Sequence, residues 1–224
     1  MPAAPESAEA RGARLLDATA RLGLAIADSE VSRLLGYLDL LQRWNATYNL
    51  TAVRDPYRML TQHLVDCLAL VAPLRRHQGP AATARLLDVG SGGGLPGVVI
   101  AIVNPGNDVT CVDAVGKKAA FVQQVATSLR LKNLHSQHTR VEQMNAAAFD
   151  VITSRAFASL ADFVALTRRH LAADGVWLAM KGKDPVDERA ALPTDIDVFH
   201  VEQLSVPGLD ADRCLVWMRP KPSL

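Results

Sequence analysis

The residues from Arg85 to Gly97, RLLDVGSGGGLPG, combine residue types and a spacing that could bind a cofactor. A short apolar run carries Asp88 and then breaks into four glycines within positions 90–94, after which Pro96 precedes a helical pattern. This order predicts a strand, a tight loop without side chains, and a helix whose first turn tolerates proline. Such a loop lets backbone amides contact a ligand beside the partial positive charge of a helix N-terminus. The stretch therefore predicts a site for a nucleotide-type cofactor.

Two cofactors fit this loop when it is considered alone. Residues 92–97 match the G-x-G-x-x-G fingerprint of dinucleotide-binding proteins. In register with the strand, the stretch that contains Gly90, Gly92 and Gly94 instead matches the acidic strand end and G-x-G-x-G loop of S-adenosylmethionine (SAM) methyltransferases. Asp113 ends the next apolar run, where its carboxylate could bind the ribose hydroxyls of either cofactor. The loop by itself leaves both cofactors open.

The elements around the loop decide between them. The chain after residue 85 alternates short apolar runs with helical patterns, which predicts a mostly parallel sheet with helices on both faces. The strands are expected at 86–89, 109–112, 133–137, 149–153, 176–180, 196–201 and 214–218, and the helices at about 96–103, 116–130, 141–146, 159–171 and 185–191. The last two strands, joined by a Pro207–Gly208 turn, should be antiparallel. This α/β pattern is typical of the seven-stranded, Rossmann-like class I SAM-dependent methyltransferase fold, whereas a nicotinamide enzyme would normally continue into a second βαβ half.

The first 75 residues predict a purely helical unit instead. A disordered lead-in of about ten residues should precede a weak helix over 10–22, and a stronger helix should begin at Asp28 or Ser29. A third helix is expected from Asp55 to near Pro73, followed by a polar linker over 75–84. The predicted domains are therefore an N-terminal helical cap at 1–75 and a methyltransferase domain at 85–224.

Two further segments follow predicted strands at the carboxyl edge of the sheet. Val141 could pack against an adenine ring with Glu142 near its exocyclic amine, although an ordinary helix start with an acid in its first turn fits equally well. Arg155 follows the strand FDVIT, where a guanidinium suits a carboxylate or a phosphate; the alternative is a solvent-exposed arginine at a helix start. His63 and Asp66 lie on one predicted helix and are interpreted as a buried polar pair rather than as metal ligands.

Composition limits the remaining possibilities. The formal net charge of +1 provides no global attraction to a polyanion, but a local basic patch would suffice to bind RNA. The three cysteines have no C-x-x-C spacing and are interpreted as buried thiols, so neither disulfides nor a metal site are expected. The N-terminus shows no secretory signal and no stretch is long enough to span a bilayer, which predicts a cytoplasmic location. The residues that could form the basic patch beside the cofactor are Lys117, Lys118, Arg140, Arg155, Lys181 and Lys183.

Six motifs in order make the sequence resemble one known family. They are WNATYNLT, HLVDCL, LLDVGSGGGLPG, VDAVGKKAAFV, SRAFASL and MKGK. Together they are similar to the RsmG (GidB) family of bacterial small-subunit rRNA methyltransferases, from about residue 30 to the C-terminus. The resemblance implies methyl transfer from SAM to N7 of one guanine in 16S rRNA, with S-adenosylhomocysteine as the product. It also implies SAM contacts by Gly90, Leu95, Val141, Glu142 and Arg155.

The implied chemistry agrees with a feature of the sequence. Guanine N7 carries a free lone pair, so no proton has to leave before it attacks the methyl group; alignment is needed and a general base is not. The amino-methylating Asp/Asn-Pro-Pro-aromatic motif is absent after the fourth predicted strand, as this chemistry leads us to expect. No catalytic residue is therefore assigned, and the enzyme is expected to be a monomer that acts on 16S rRNA, either free or within the small subunit. A non-catalytic SAM- or nucleotide-binding module in ribosome assembly and, less favoured, an NAD-type oxidoreductase are the alternatives.

Overall fold

The structure, a computed structural model, describes residues 6–79, 83–155, 157 and 159–222. The first part of the described chain is helical, as expected. Its longest helix buries an apolar stripe at helical spacing that includes Leu34, Leu38 and Leu41. The helices are α1 Ala8–Arg21, α2 Asp28–Tyr48, α3 Pro56–Met59, α4 Asp66–Leu68 and α5 Val71–Gln78, and a π-helical stretch, Leu60–Val65, joins α3 to α4.

The second part alternates strands and helices around one seven-stranded sheet. The sheet order is β3-β2-β1-β4-β5-β7-β6. The strands are β1 Arg85–Val89, β2 Asp108–Asp113, β3 Leu134–His138, β4 Phe149–Ser154, β5 Leu171–Lys181, β6 Ile196–Leu204 and β7 Arg213–Pro220. The helices are α6 Gly97–Val103, α7 Gly116–Ser128, α8 Leu160–Thr167 and α9 Val186–Ala190, with 3-10 turns at Val141–Gln143 and Arg168–His170.

The strand directions confirm the predicted fold class. β1 to β5 pair in parallel, whereas β7 is antiparallel to both of its neighbours, β5 and β6. β6 and β7 therefore form the expected hairpin, and six strands run in one direction. The seven predicted strands all form, and β5 starts five residues before the apolar run that predicted it.

Several boundaries differ from the expectation. α1 starts at Ala8, within the expected lead-in, because Ser7 accepts a hydrogen bond from the Ala10 amide and caps the helix; residues 1–5 of that lead-in lie outside the described part of the chain. α5 continues past Pro73, since proline is tolerated in the first turn of a helix. Arg75, expected in the linker, instead donates a hydrogen bond from Nε to Asn104 at 2.8 Å and another to the Val103 carbonyl, so it caps the carboxyl end of α6. Of the linker itself, residues 80–82 lie outside the described residues.

The helical cap and the sheet share one hydrophobic core. Leu34 and Leu41 of α2 belong to the same buried cluster as Val98 of α6 and Phe121 of α7. A second cluster, which includes Phe163 of α8, covers the opposite face of the sheet. The cap is thus packed on the α6–α7 face, and its position relative to the start of α6 is fixed by that core.

The junction between β1 and α6 is closely packed. Asp88 is fully buried, and its Oδ2 accepts a hydrogen bond from the Gly97 amide at 2.8 Å. A Cβ atom at Gly97 would lie 2.5 Å from Cys111 Sγ on β2 and 2.9 Å from Asp88 Oδ2. The first residue of α6 therefore has to be glycine for the helix to pack this closely against the sheet.

We expect Gly97→Ala to lower the free energy of unfolding by about 1–3 kcal/mol or more, because the added methyl group overpacks this junction. Urea denaturation measures the change. Gly12→Ala in α1 is the matched control: its Cβ would meet only Leu35 Cδ1, at 3.9 Å, and alanine favours a helix by about 1 kcal/mol over glycine. Equal stability of the two variants would contradict the packing argument.

Candidate functional site

The glycine loop after β1 adopts a backbone that other residues rarely take. Gly90, Gly92 and Gly94 have φ angles of 64°, 59° and 82°. A Cβ at Gly90 or Gly92 would meet no protein atom within 4 Å, whereas one at Gly94 would lie 2.4 Å from Val98 Cγ2. The first two glycines thus border free space beside the loop, and the third allows the loop to lie against α6.

The cap holds this loop from the side of α2. Tyr37 is fully buried, and its hydroxyl donates a hydrogen bond to the Gly93 carbonyl at 2.7 Å. Its ring packs near that of Phe121 on α7, with centroids 6.1 Å apart. Burial raises the pKa of Tyr37 well above its ordinary value, so the hydroxyl keeps its proton and remains a donor. The helical cap is therefore part of the support of the loop.

Asp113 closes the other side of the loop from the end of β2. Its Oδ2 accepts from the Gly92 amide at 2.9 Å, and its Oδ1 accepts from the Val115 amide at 2.8 Å. Lys118 Nζ lies 3.8 Å from Oδ2. A carboxylate oxygen has a second lone pair, so Asp113 can accept further hydrogen bonds from a ligand hydroxyl while it fixes the loop.

A small cavity of about 180 Å³ lies beside the loop, at the carboxyl edge of the sheet. Four of the predicted cofactor residues, Gly90, Asp113, Val141 and Glu142, line it together with Phe157. The expected helix over 141–146 is only the 3-10 turn Val141–Gln143. Val141 is buried and its carbonyl accepts from His170 Nε2 at 2.8 Å, whereas Glu142 is exposed. The structure thus brings an apolar wall and two carboxylates to one cavity.

Asp88, near the end of β1, is fully buried beside the glycine loop. Its Oδ1 has no hydrogen-bond partner among the described residues. Burial raises the pKa of Asp88 from 3.8 to about 7, against the opposing effects of the Gly97 amide and Arg155. The buried carboxyl faces α6 through Gly97. Its structural role is to tie α6 to β1 under the loop.

Arg155 lies in a second and larger cavity. This cavity, about 570 Å³ in volume, is lined by Arg155, by Gln62 and His63 of the cap, and by Arg213 at the start of β7. One Arg155 nitrogen, Nη1, lies 3.2 Å from the Gln62 carbonyl and 3.3 Å from Asp66 Oδ2. Its surroundings are therefore set by the cap rather than by the glycine loop.

The two cavities are neighbours. Phe157, two residues after Arg155, lines the small cavity, and its carbonyl accepts a hydrogen bond from Lys181 Nζ at 3.3 Å. Lys181 lines the large cavity. After β4, Arg155 therefore lines the large cavity and Phe157 the small one; Ala156 between them lies outside the described part of the chain.

The other predicted residues occupy different surroundings. Leu95 is buried in the core that contains the cap. Lys117 Nζ donates to the Tyr48 carbonyl at 2.7 Å, where a positive charge stabilises the carboxyl end of α2. Lys181 is paired with Glu188 at 2.7 Å, and the exposed Arg140 lies 3.8 Å from Glu142. Lys183 is exposed. Of the predicted basic patch, Arg140 thus lines the small cavity, Arg155 and Lys181 line the large one, and the other three lysines line neither.

The sequence pattern missed the centre of the larger cavity. Asp66 is buried and accepts from Arg213 Nε at 2.7 Å as well as from Arg155, so it pairs with two arginines rather than with His63. His63 instead lies with Nε2 2.9 Å from the Thr51 hydroxyl. The available signal was the His-x-x-Asp spacing on one helix, which placed both residues on a buried face but could not identify partners distant in sequence. The three cysteines are buried and free, as interpreted.

The described residues show neither a candidate metal centre nor a membrane-spanning helix. Within residues 6–79, 83–155, 157 and 159–222, no group of three or more His, Cys, Asp or Glu side chains could hold a metal ion. In the same part of the chain, no helix has the length and apolar character needed to cross a bilayer.

Comparisons with known proteins identify the relatives of this chain. A family model described as GidB, rRNA small subunit methyltransferase G, matches residues 30–216. The ribosomal RNA small subunit methyltransferase G of Paracidovorax citrulli is 59% identical, over 96% of this chain and 92% of that protein. The protein of the same name from Methylibium petroleiphilum is 56% identical, over 99% of this chain and all of its own length.

Solved structures show the same fold at low sequence identity. TrmN from Thermus thermophilus superposes with a TM-score of 0.54 and 16% identity, over 72% of this chain and 53% of that one. A SAM-dependent methyltransferase from Aquifex aeolicus superposes with a TM-score of 0.51 and 16% identity, over 73% and 93% of the two chains. These likenesses show the fold.

The sheet order, the glycine loop after β1 and the acid at the end of β2 define a SAM-dependent methyltransferase. The fold and the relatives do not favour the oxidoreductase or the non-catalytic alternative. Within that class, the chain belongs to the GidB family, described as rRNA small subunit methyltransferase G.

We expect the stability of the protein to fall as the pH rises from about 4 to about 7, because folded Asp88 keeps a proton that the unfolded chain has lost. Its contribution is complete below the unfolded pKa and is lost as the pH approaches the folded one. Relative to Asp88→Asn, which preserves the shape and an acceptor for Gly97, the slope should be about 1.4 kcal/mol per pH unit. Urea unfolding of both proteins across this range measures it; parallel pH profiles would contradict the assignment.

Proposed function

We propose that this protein transfers the methyl group of SAM to N7 of a guanine in 16S rRNA, in the cytoplasm where the small subunit is assembled. The observation that carries the proposal is the adjacency of the two cavities: Phe157 lines the small one, and its carbonyl accepts a hydrogen bond from Lys181, which lines the large one. One is lined by four of the predicted cofactor residues, and the other, which contains Arg155, is large enough for an acceptor. The relatives named above supply the substrate class, since their names specify small-subunit rRNA.

The residues of the small cavity suit the parts of SAM. Val141 would offer an apolar surface to the adenine ring, Glu142 would meet its exocyclic amine, and Asp113 would accept hydrogen bonds from the ribose hydroxyls. The free space beside Gly90 and Gly92, which a side chain would fill, accommodates the amino-acid end. Gly94 and Leu95 support this loop from the α6 side, and Arg155 lines the neighbouring, larger cavity.

The reaction requires the methyl donor and the acceptor nitrogen to be aligned. When bound, SAM supplies an electrophilic methyl group on a positively charged sulfur. The N7 lone pair forms the new C–N bond as the C–S bond breaks, and no proton is transferred. Gly90 and Gly92 leave the space for the donor, Tyr37 and Asp113 fix the loop that borders it, and Arg155 is held at the boundary by Asp66. Holding the two reactants in register is the contribution that an enzyme can make to such a reaction.

RNA contacts are proposed for the basic residues around the two cavities. Lys118 and Arg140 lie beside the small cavity, and Lys183 lies at the surface after β5. Lys117 and Lys181 make intramolecular contacts and contribute positive charge near the site. Such contacts with phosphates position the RNA and make its binding depend on salt.

We expect Gly92→Ala to weaken SAM binding at least tenfold, because its methyl group enters the space proposed for the cofactor and strains the loop. Gly23→Ala is a matched control, since Gly23 has a φ of 68° and a Cβ there also meets nothing within 4 Å. Both variants should lose similar stability, on the order of 1–2 kcal/mol. Isothermal calorimetry with SAM distinguishes them, and equal affinities would remove Gly92 from the site.

We expect the purified protein to transfer label from methyl-labelled SAM to 16S rRNA in small subunits that lack this modification. Nuclease digestion and mass spectrometry should locate the label as 7-methylguanine. Naked 16S rRNA, tested in parallel, shows whether the substrate is free RNA or the assembled subunit. SAM binding without any transfer to RNA would refute the proposed function.

A further inference from the structure

The larger cavity is built jointly by the cap and the end of the sheet. The cap contributes Gln62 and His63, which lie in the π-helical stretch. The sheet contributes Arg155 after β4, Lys181 at the end of β5 and Arg213 at the start of β7. A volume of about 570 Å³ lies within the range of small-ligand sites, roughly 300–1,000 Å³, and exceeds that of the cofactor cavity.

A buried carboxylate fixes the donors of this cavity. The Asp66 side chain is 2% exposed, and its two oxygens accept separately from Arg213 Nε and Arg155 Nη1. Arg213 Nη1 also donates to the Asp212 carbonyl at 2.8 Å. The Asp66 carboxylate therefore holds two guanidinium groups at one wall and offsets part of their charge.

The cap contributes a neutral polar group to the same cavity. His63 is 5% exposed, and its Nδ1 has no hydrogen-bond partner among the described residues. Burial and the nearby Arg155 lower the pKa of His63 to about 4, so the ring is uncharged at neutral pH. A buried ring nitrogen without a partner is costly unless a ligand or water satisfies it.

Adenine and guanine present the same N7 lone pair, so selection between them depends on the neighbouring C6 group. Guanine has the acceptor O6 there, whereas adenine has an amino donor. A guanidinium group can donate a hydrogen bond to guanine O6, but it finds no acceptor at the amino group of adenine. Guanidinium donors therefore favour guanine over adenine. A base inside a folded RNA also has to leave its stack before it can enter a cavity.

We propose that this cavity receives the acceptor guanine as a single extruded nucleotide, and that the Arg213 guanidinium, held by Asp66, selects it through O6. The inference rests on the proposed function, and it adds where the acceptor base binds and which residue recognises it.

Arg213→Ala tests the proposal. We expect kcat/KM for methyl transfer to small subunits to fall about 5- to 150-fold, the loss that corresponds to one specific base contact. SAM affinity should stay within threefold, because Asp66 keeps Arg155 as a partner. The control is Arg219→Ala, also on β7, where Arg219 pairs with Asp197 at 3.1 Å and does not line the cavity. Its transfer rate should equal that of the unmodified protein.

Nucleoside binding gives a second measurement that does not depend on the variant's folding. With S-adenosylhomocysteine filling the cofactor site, saturation-transfer NMR should show guanosine bound more strongly than adenosine or 2-aminopurine riboside, which lacks O6. Equal binding of the three nucleosides would overturn the proposal, as would wild-type transfer by Arg213→Ala. Absence of transfer by the unmodified protein would instead refute the proposed function, so the two failures are distinguishable.

Discussion

The structure depends on one constraint, the connection of β1 to α6 by a loop that has to stay free of side chains. The buried Asp88 carboxyl ties the first residue of α6 to the strand, and Asp113 ties the loop to the neighbouring strand. Tyr37 holds it from the cap. Because these three contacts use only backbone atoms of the loop, its open side is free for a ligand. The loop is thus fixed in place before any ligand binds, which lowers the entropic cost of binding.

The same arrangement explains why a helical cap belongs to this methyltransferase. The cap shares a hydrophobic core with α6 and α7, so its helices cannot move far without disturbing the loop. It also supplies Asp66, whose two oxygens pair with arginines from the ends of two different strands. A π-helical stretch directly precedes Asp66, and such stretches are frequent at functional sites because they re-aim side chains. The cap therefore supports the proposed cofactor site and forms one wall of the larger cavity.

The sequence predicted the features that depend on local patterns. The strands follow from apolar runs, the glycine loop from residues that are adjacent in the chain, and the acid at Asp113 from its place at a strand end. What it could not predict are contacts between distant segments: Arg155 and Asp66 are 89 residues apart, and Arg213 and Asp66 are 147 apart. Lys181 was a candidate for RNA binding, but its pairing with Glu188 depends on how α9 packs. The charge of each side chain can be predicted from the sequence, whereas its ion-pair partner is known only from the fold.

The charge balance of the larger cavity matters because the proposed reaction makes its acceptor cationic. A guanidinium beside guanine O6 binds the neutral base but would oppose the positive charge that develops on the purine. Asp66, within 2.7 Å of Arg213 Nε and 3.3 Å of Arg155 Nη1, reduces this opposition where the two arginines converge. After transfer, the remaining repulsion disfavours the methylated base relative to guanine, which would assist its release. One buried carboxylate thus lets the same donors select the substrate and weaken the binding of the product.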